Sequence, residues 1–389
     1  SCPMRAAEPL HPGAEALRGL AALMVVATHY VTLVQPLGPG LWGLAATGVD
    51  LFFVISGFVF AKLLAQPGWS LAGYGLRRLF RLYPLYLVAL LTYALLQPAE
   101  GRWQALPAHL AMLHTTGSLQ TAAAYNVAFW SLPPEVEFYL LLPALAWLAW
   151  HGARTKGRAL WVLLAAALAL KLGLVMAAEP SESPEALRSV LTVHVPGLLI
   201  EFLLGSAVAV LGGHVGAPHL ARPWPHPWRM AAAALGLVGL VALVGVYAQH
   251  LASTEQAAHA PLWLKGHVGL WAAACYAAMM LVLKPAQQAC VAEAAPSGHA
   301  QHPWRWSWHA ALWAGRWSYG IYLFHNAAPA VLTRLWPTVH GWPLLLLSLV
   351  LTLVVAAALH SLVEWPARRW GRRLAQRLER RRPSGSSPA

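Results

Sequence analysis

An all-α, polytopic membrane bundle is the fold class this sequence predicts. Three observations carry it. Apolar residues make up 58% of the 389 residues and charged residues only 11%, where a soluble protein carries roughly a quarter. The apolar residues gather into ten runs of near-spanning length, each long enough to cross the hydrocarbon core as a helix. The excess of Lys and Arg, a formal net charge of +13, sits mainly in alternate connections, the pattern that orients membrane proteins with their basic loops inside.

The first run, residues 17–34, reads LRGLAALMVVATHYVTLV. Arg18 and His29 lie eleven positions apart in it. On an α-helix that is about three turns and roughly 16 Å of rise, with both side chains on nearly one face. Ionisable groups at membrane depth face the bundle interior or a watery cavity, so a substrate is expected along this face. The second run, 41–65, contains GVDLFFVISGFVF, and a basic connection with Arg77, Arg78 and Arg81 follows it. The third run is 82–97, and the loop after it to about 129 holds His109 and His114. The fourth opens with WSLPPEVEFYLLLP and ends near Trp150. HGARTKGR is a basic connection, 159–177 the fifth run, and the next loop is acidic, with Glu179, Glu182 and Glu185. Runs six to eight are 195–211, 230–249 and 262–283. A loop rich in Trp, His and Pro over 284–308 leads to run nine at 312–335 and run ten at 343–363.

Connections are basic after runs two, four and ten, and neutral or acidic after one, three and five. The expectation is about ten helices with both termini cytoplasmic. No cleavable leader pattern precedes the first run, so the first helix is expected to be retained. Residues 1–364 form one transmembrane unit, and residues 365–389 a basic cytoplasmic tail, expected as an amphipathic helix on the anionic leaflet. Trp residues near span ends, Trp42, Trp69 and Trp150 among them, fit interfacial belts.

Several classes are excluded or weakened. The positive charge is explained by topology, which leaves no case for a nucleic-acid partner. Cys2, Cys275 and Cys290 are too few and scattered for a disulfide framework or thiolate metal site. No phosphate loop, nucleophile elbow or HExxH pattern is present. The histidines lack metal-ligand spacing, and HPWRWSWH reads better as an interfacial loop than as a metal site, so no metal is expected. The absence of a strong internal repeat weakens a transporter built from inverted halves.

The candidates that remain divide by depth. His29 and Asp50, the only aspartate, should lie at similar depth in the outer half. An Asp beside a His fixes its tautomer and raises its basicity, as a general base requires; the competing reading is a polar contact that only holds helices together. Glu135, at the start of the fourth run, is expected to complete that outer cluster or bind a hydroxylated acceptor, or else to serve as a carboxylate favoured by the helix dipole. For Glu137 the dipole reading is preferred. His325 and Glu201 fall at similar depth, as acceptor or proton-path residues or as structural bonds. On the inner side stand Arg18, Lys62, Arg77, Arg78, Arg81 and Arg316. Arginine forks suit phosphates, and a phosphate-bearing donor such as an acyl-CoA fits; taken singly, topological anchoring is the preferred reading for most of them, Arg18 excepted for its alignment with His29.

LRGLAALMVVATHY, GVDLFFVISGF, RRLFRLYPLY, FWSLPPEVEFYLLLP, SYGIYLFH and the Glu364-Trp365-Pro366 triplet resemble, in order, motifs of the acyltransferase-3 family of integral-membrane O-acyltransferases, which acylate surface polysaccharides and some secreted molecules. The resemblance implies ten helices, a cytoplasmic acyl-CoA donor, usually acetyl-CoA, and a hydroxyl acceptor, commonly a saccharide or lipid-linked glycan, reached from the other side. It implies that Arg18 and His29 are essential and places the motif glutamate on Glu135. Pro133-Pro134 stand where the family more often has Ser and Val or Gly. The expected protein is a polysaccharide O-acetyltransferase-like enzyme of a bacterial inner membrane, with His29, Asp50 and Glu135 catalytic, Arg18, Arg78 and Arg81 on the donor, and His325 and Glu201 on the acceptor or proton path. A proton-coupled transporter or flippase and a non-catalytic binding scaffold are the alternatives.

Overall fold

A computed structural model describes residues 11–34, 39–65, 69–151, 158–178, 193–215, 221–250, 262–283 and 304–380. Cys2, Cys290, the acidic connection with Glu179, Glu182 and Glu185, most of HGARTKGR, residues 284–303 and residues 381–389 lie outside them. Among the described residues the chain is helical, without a β-strand. In order the helices are α1 Pro12–Tyr30, α2 Pro39–Ala46, α3 Gly48–Ala65, α4 Leu71–Leu96, the short α5 Leu106–Leu110 and α6 Leu119–Ala123, α7 Leu132–His151 and α8 Ala159–Ala178. They continue as α9 Val195–Leu211, α10 His226–His250, α11 Leu262–Met280, α12 Trp304–Phe324, α13 Ala327–Leu335, α14 Gly341–Leu359 and α15 Trp365–Arg380. A π-turn over His360–Glu364 joins the last two.

Six stretches are long and apolar enough to cross a membrane: Pro12–Leu33, Leu41–Ala65, Leu71–Leu96, Ala159–Ala178, His226–His250 and Gly341–Arg380. Val195–Leu211 and Val268–Met280 are apolar but shorter. The expected count was ten. Two of the other four, α7 and α12, have the length but carry, respectively, Glu135 and Glu137, and a Trp-rich first half with Arg305 and His309.

Two element boundaries differ from the sequence reading. Arg77, Arg78 and Arg81 are not in a connection: α4 starts at Leu71, capped by Ser70 Oγ accepting from the Gly73 N–H at 3.1 Å, and the arginines ride inside it. The ninth run breaks at His325 and Asn326 into α12 and α13.

Close crossings build the centre. A Cβ on Gly19 would lie 2.7 Å from the Gly315 backbone nitrogen, so α1 and α12 touch backbone to backbone. At the crossing of α3 and α9, Gly57 meets the Phe202 carbonyl and Gly205 the Val54 carbonyl, each too closely for any side chain. Small residues at such crossings let dispersion contacts accumulate where lipid removes the hydrophobic drive between helices. Pro143 inside α7 cannot donate to the Tyr139 carbonyl, and the Tyr74 hydroxyl takes that acceptor at 3.1 Å.

The segment between α4 and α7 tucks into the bundle. His109 and His114 are fully buried, with rings stacked 4.1 Å apart at 3°. The Tyr86 hydroxyl donates to the His109 carbonyl at 3.0 Å, and His114 Nε2 lies 3.1 Å from the Phe129 carbonyl. Burial holds His114 down at about 4, with the neighbouring His109 adding to the effect.

Candidate active site

α1 presents Arg18 and His29 toward α12, as their spacing predicts. Arg18 lines a cavity with Val49, Phe52, Phe53 and Ser56 of α3, Arg81 of α4, Glu135 and Tyr139 of α7, and Ser318, Tyr319 and Tyr322 of α12. The cavity encloses about 610 Å³ of empty space, open mouth included. Its α3 residues sit at positions 49, 52, 53 and 56, one stripe of a helix.

Each polar wall of the cavity is held from behind. Arg81 pairs with Glu364 of the π-turn, and its guanidinium lies 5.7 Å from the Tyr319 ring centre. Glu364 is 1% exposed and also takes His360 Nδ1 at 2.9 Å. Such a turn, with its wider i to i+5 spacing, is frequent at functional sites. The Tyr139 hydroxyl donates to Glu135. The Tyr319 hydroxyl donates to the Leu82 carbonyl at 2.8 Å. Tyr322 shares a hydrogen bond of 2.6 Å with Ser131 and donates to the Ala128 carbonyl at 2.5 Å. Arg18 makes no ion pair within 4 Å among the described residues and lies in the fields of Arg81, Glu15 and Glu135.

Tyr322 of this cavity wall stands beside a histidine pair. Its ring centre is 6.1 Å from that of His325, which in turn is 4.9 Å from that of His29. His325 is fully buried; its Nδ1 lies 2.8 Å from the Tyr322 carbonyl, a contact that requires an N–H, and its Nε2 is buried without a hydrogen bond. In the neutral ring Nε2 therefore carries the lone pair. The end of α12 around it is fixed by borrowed donors, since the last carbonyls of a helix have no partner of their own. The Tyr30 hydroxyl donates to the His325 carbonyl at 2.7 Å and meets Thr352 at 2.8 Å; the Tyr93 hydroxyl donates to the Leu323 carbonyl at 3.0 Å. Asn326 Nδ2 donates to Asn126 Oδ1 at 2.8 Å, tying in the tucked segment.

Several expected positions are corrected. Asp50 is not the partner of His29. It projects from a different flank of α3, beside Glu201 of α9 and Lys171 of α8, and against Gly269 of α11. Lys171 Nζ lies 3.9 Å from Glu201 Oε1, and the two are 3% and 0% exposed. Glu201 thus joins Asp50, not His325. The reason is angular: Asp50 is one residue, or 100°, from the cavity stripe, and a helix apolar all round gives no clue to which side a neighbour lies. Glu135 belongs with Arg18 and Arg81, lining the same cavity, and not with the histidines. Arg78 does not line the cavity; its guanidinium lies 4.8 Å from the Phe60 ring centre and 5.8 Å from that of Tyr139. Glu137 caps another helix: it accepts from the Val195 N–H at 2.8 Å and lies 2.5 Å from His194 Nδ1, which raises the His194 pKa.

Tyr319, Tyr322 and Glu364 went unassigned at the sequence level. Their signal was present in SYGIYLFH and the Glu-Trp-Pro triplet, where tyrosines three apart share a helix face.

A family model described as an acyltransferase domain matches residues 11–361. The chain belongs to this acyltransferase family. Searches of curated proteins and of solved structures found no match. The matched segment takes in the whole cavity and the histidine pair. It is a membrane acyltransferase by family and by its apolar helices.

Proposed function

We propose that this acyltransferase moves an acyl group, an acetyl group in the simplest case, from cytoplasmic acyl-CoA to a hydroxyl of a saccharide or lipid-linked glycan across a bacterial inner membrane, with about ten spans and both termini cytoplasmic. The observation that carries the reading is a cavity with Arg18 and Arg81 in its wall, whose Tyr322 stands beside the His29–His325 pair. One end offers guanidinium groups suited to phosphates. The other offers a base.

In the proposed chemistry the thioester reaches the histidine pair with its phosphates at the arginine end. His29 removes the proton from the acceptor hydroxyl as that oxygen attacks the thioester carbonyl. The new C–O bond forms, the C–S bond breaks, and the departing thiolate takes a proton from the His29 imidazolium. General-base help of this kind contributes about 10²–10⁴ in rate. His325 takes the orienting role first assigned to Asp50: its lone-pair nitrogen can accept from a His29 N–H and so set the His29 tautomer. Tyr322 and Glu135 position the thioester arm and acceptor. A transient acyl-histidine is the variant of this route.

The test is transfer of label from acetyl-CoA in membranes carrying the protein, followed into glycan, lipid-linked and water-soluble fractions, with His29→Ala in parallel. Label in a glycan fraction with wild type and not with the variant supports the reading. Substrate flux driven by a proton gradient, with no acylated product, would favour the transporter instead.

A further inference from the structure

The tail helix α15 lies just beyond the residues matched by the family model. Its sequence, WPARRWGRRLAQRLER, reads as a helix spread on a lipid surface. In the structure it is docked on α4. Gly371 packs directly on Phe80, with a Cβ there 2.5 Å from the Phe80 Cβ; Ala375 is fully buried, and Glu379 pairs with Arg77 at 2.8 Å.

Docking sorts the arginines of α15 by face. Arg369, Arg373, Arg377 and Arg380 are exposed, while Arg368 and Arg372, one turn apart, are half-buried. Arg368 Nη1 is 3.5 Å from Glu364 Oε1, the oxygen that Arg81 also holds. Arg368 lies in the fields of Arg81, Arg18 and Arg372. Arg81 and Arg368 share one Glu364 oxygen, Arg18 lines the cavity with Arg81, and Arg372 follows Arg368 by one turn, so four guanidinium groups from three helices gather at the arginine end of the cavity. Among the described residues the carboxylate paired with them is Glu364, already shared with His360; Glu15 and Glu135 act on Arg18 and Arg81 from farther off. Arg372 makes no hydrogen bond or ion pair among the described residues. Like charges so placed repel, and planar forks in a cluster match the oxygens of phosphate.

We propose that Arg368 and Arg372 of α15, together with Arg18 and Arg81, form a binding site for phosphate groups at the cavity mouth, and that the phosphates it takes are those of the thioester donor. This rests on the acyl-CoA reading. It makes the tail helix part of the donor site, with only its outward arginines left for anionic lipid.

The experiment uses the full chain in phosphatidylcholine nanodiscs. Calorimetry measures binding of coenzyme A and of phosphate-free pantetheine to wild type, to R368Q and R372Q, and to the outward pair R369Q/R373Q. Steady-state kinetics with acetyl-CoA and S-acetylpantetheine follow. The expected result is coenzyme A binding weakened about tenfold or more by R368Q and by R372Q, the size of one lost charge-assisted contact. KM for acetyl-CoA should rise in step, while S-acetylpantetheine and the outward pair are unaffected. Equal losses with both thioesters would overturn the proposal in favour of a structural helix. An effect seen only when phosphatidylglycerol is added would overturn it in favour of lipid phosphate. Unaltered coenzyme A binding in both inward variants would sink this proposal alone. No binding of coenzyme A by wild type would sink it together with the donor reading.

Discussion

Helix α3 separates two polar clusters that the sequence made look alike. On one side Arg18, Arg81, Glu135 and the tyrosines of α12 line a cavity, and Tyr322 of that wall stands beside the His325–His29 pair. On the other, Asp50, Glu201 and Lys171 press together against Gly269. Both clusters put ionisable groups where a membrane protein can ill spare them. Among the described residues, the first leaves Arg18 without an ion pair within 4 Å and the His325 lone-pair nitrogen without a donor, beside empty space. The second sets a buried lysine against two carboxyls, packed so that a Cβ on Gly269 would meet Asp50. Burial of an ionisable group therefore says less about function than whether its charge is left for something else to complete.

The contrast can be broken most sharply at His29. His29→Ala should lower acyl transfer by about 10²–10⁴ with an unchanged thermal midpoint, while Asp50→Asn should keep transfer within a few-fold. A variant pair with the reverse outcome would move the chemistry to the other side of α3. Next in size is Glu364→Gln. It leaves Arg81 buried without its partner, and removing one member of a buried pair costs about 3–5 kcal/mol; thermal unfolding in detergent should show it, with coenzyme A binding retained in what remains folded. Lys171→Met should also lower the thermal midpoint, yet leave KM for acyl-CoA unchanged. A raised KM would show the second cluster reaching the donor.

The smallest effects are pH effects of opposite sign. His114 is held neutral by burial, at about 4 against an ordinary 6.5. Its stabilisation is intact above 6.5 and is lost as pH falls toward 4, by up to about 1.4 kcal/mol per pH unit. Hydrogen exchange of the segment between α4 and α7 should rise over that window, and His114→Phe should blunt the rise. His194, raised by Glu137, stabilises below its ordinary value and loses that contribution as pH climbs through the raised one. Exchange at the start of α9 should report it, and Glu137→Gln should abolish it.

Much of the first cluster was legible. The Arg18–His29 spacing fixed a shared face, and the motif around Glu135 brought that residue into the site. What could not be read was rotation and depth. The apolar surround of α3 hides which way Asp50 turns. The tucked segment after α4 has neither a spanning run nor a strong period, so nothing in it announces that the start of α7 lines a cavity with Arg18. Hydropathy failed for a related reason: α7 and α12 fall short as apolar spans partly because they supply cavity residues. The tail showed a two-faced pattern but not which face had a protein partner.

The π-turn at His360–Glu364 has a practical consequence for where this chain can be cut. The family-model match ends at residue 361, and a designer trimming to that limit would cut the turn and lose Glu364. It holds the counterion of Arg81. A shortened chain ending there would keep every residue of the cavity wall and lose the anion that pairs one of them, so the segment recognisable as an acyltransferase is shorter than the segment that keeps Arg81 paired.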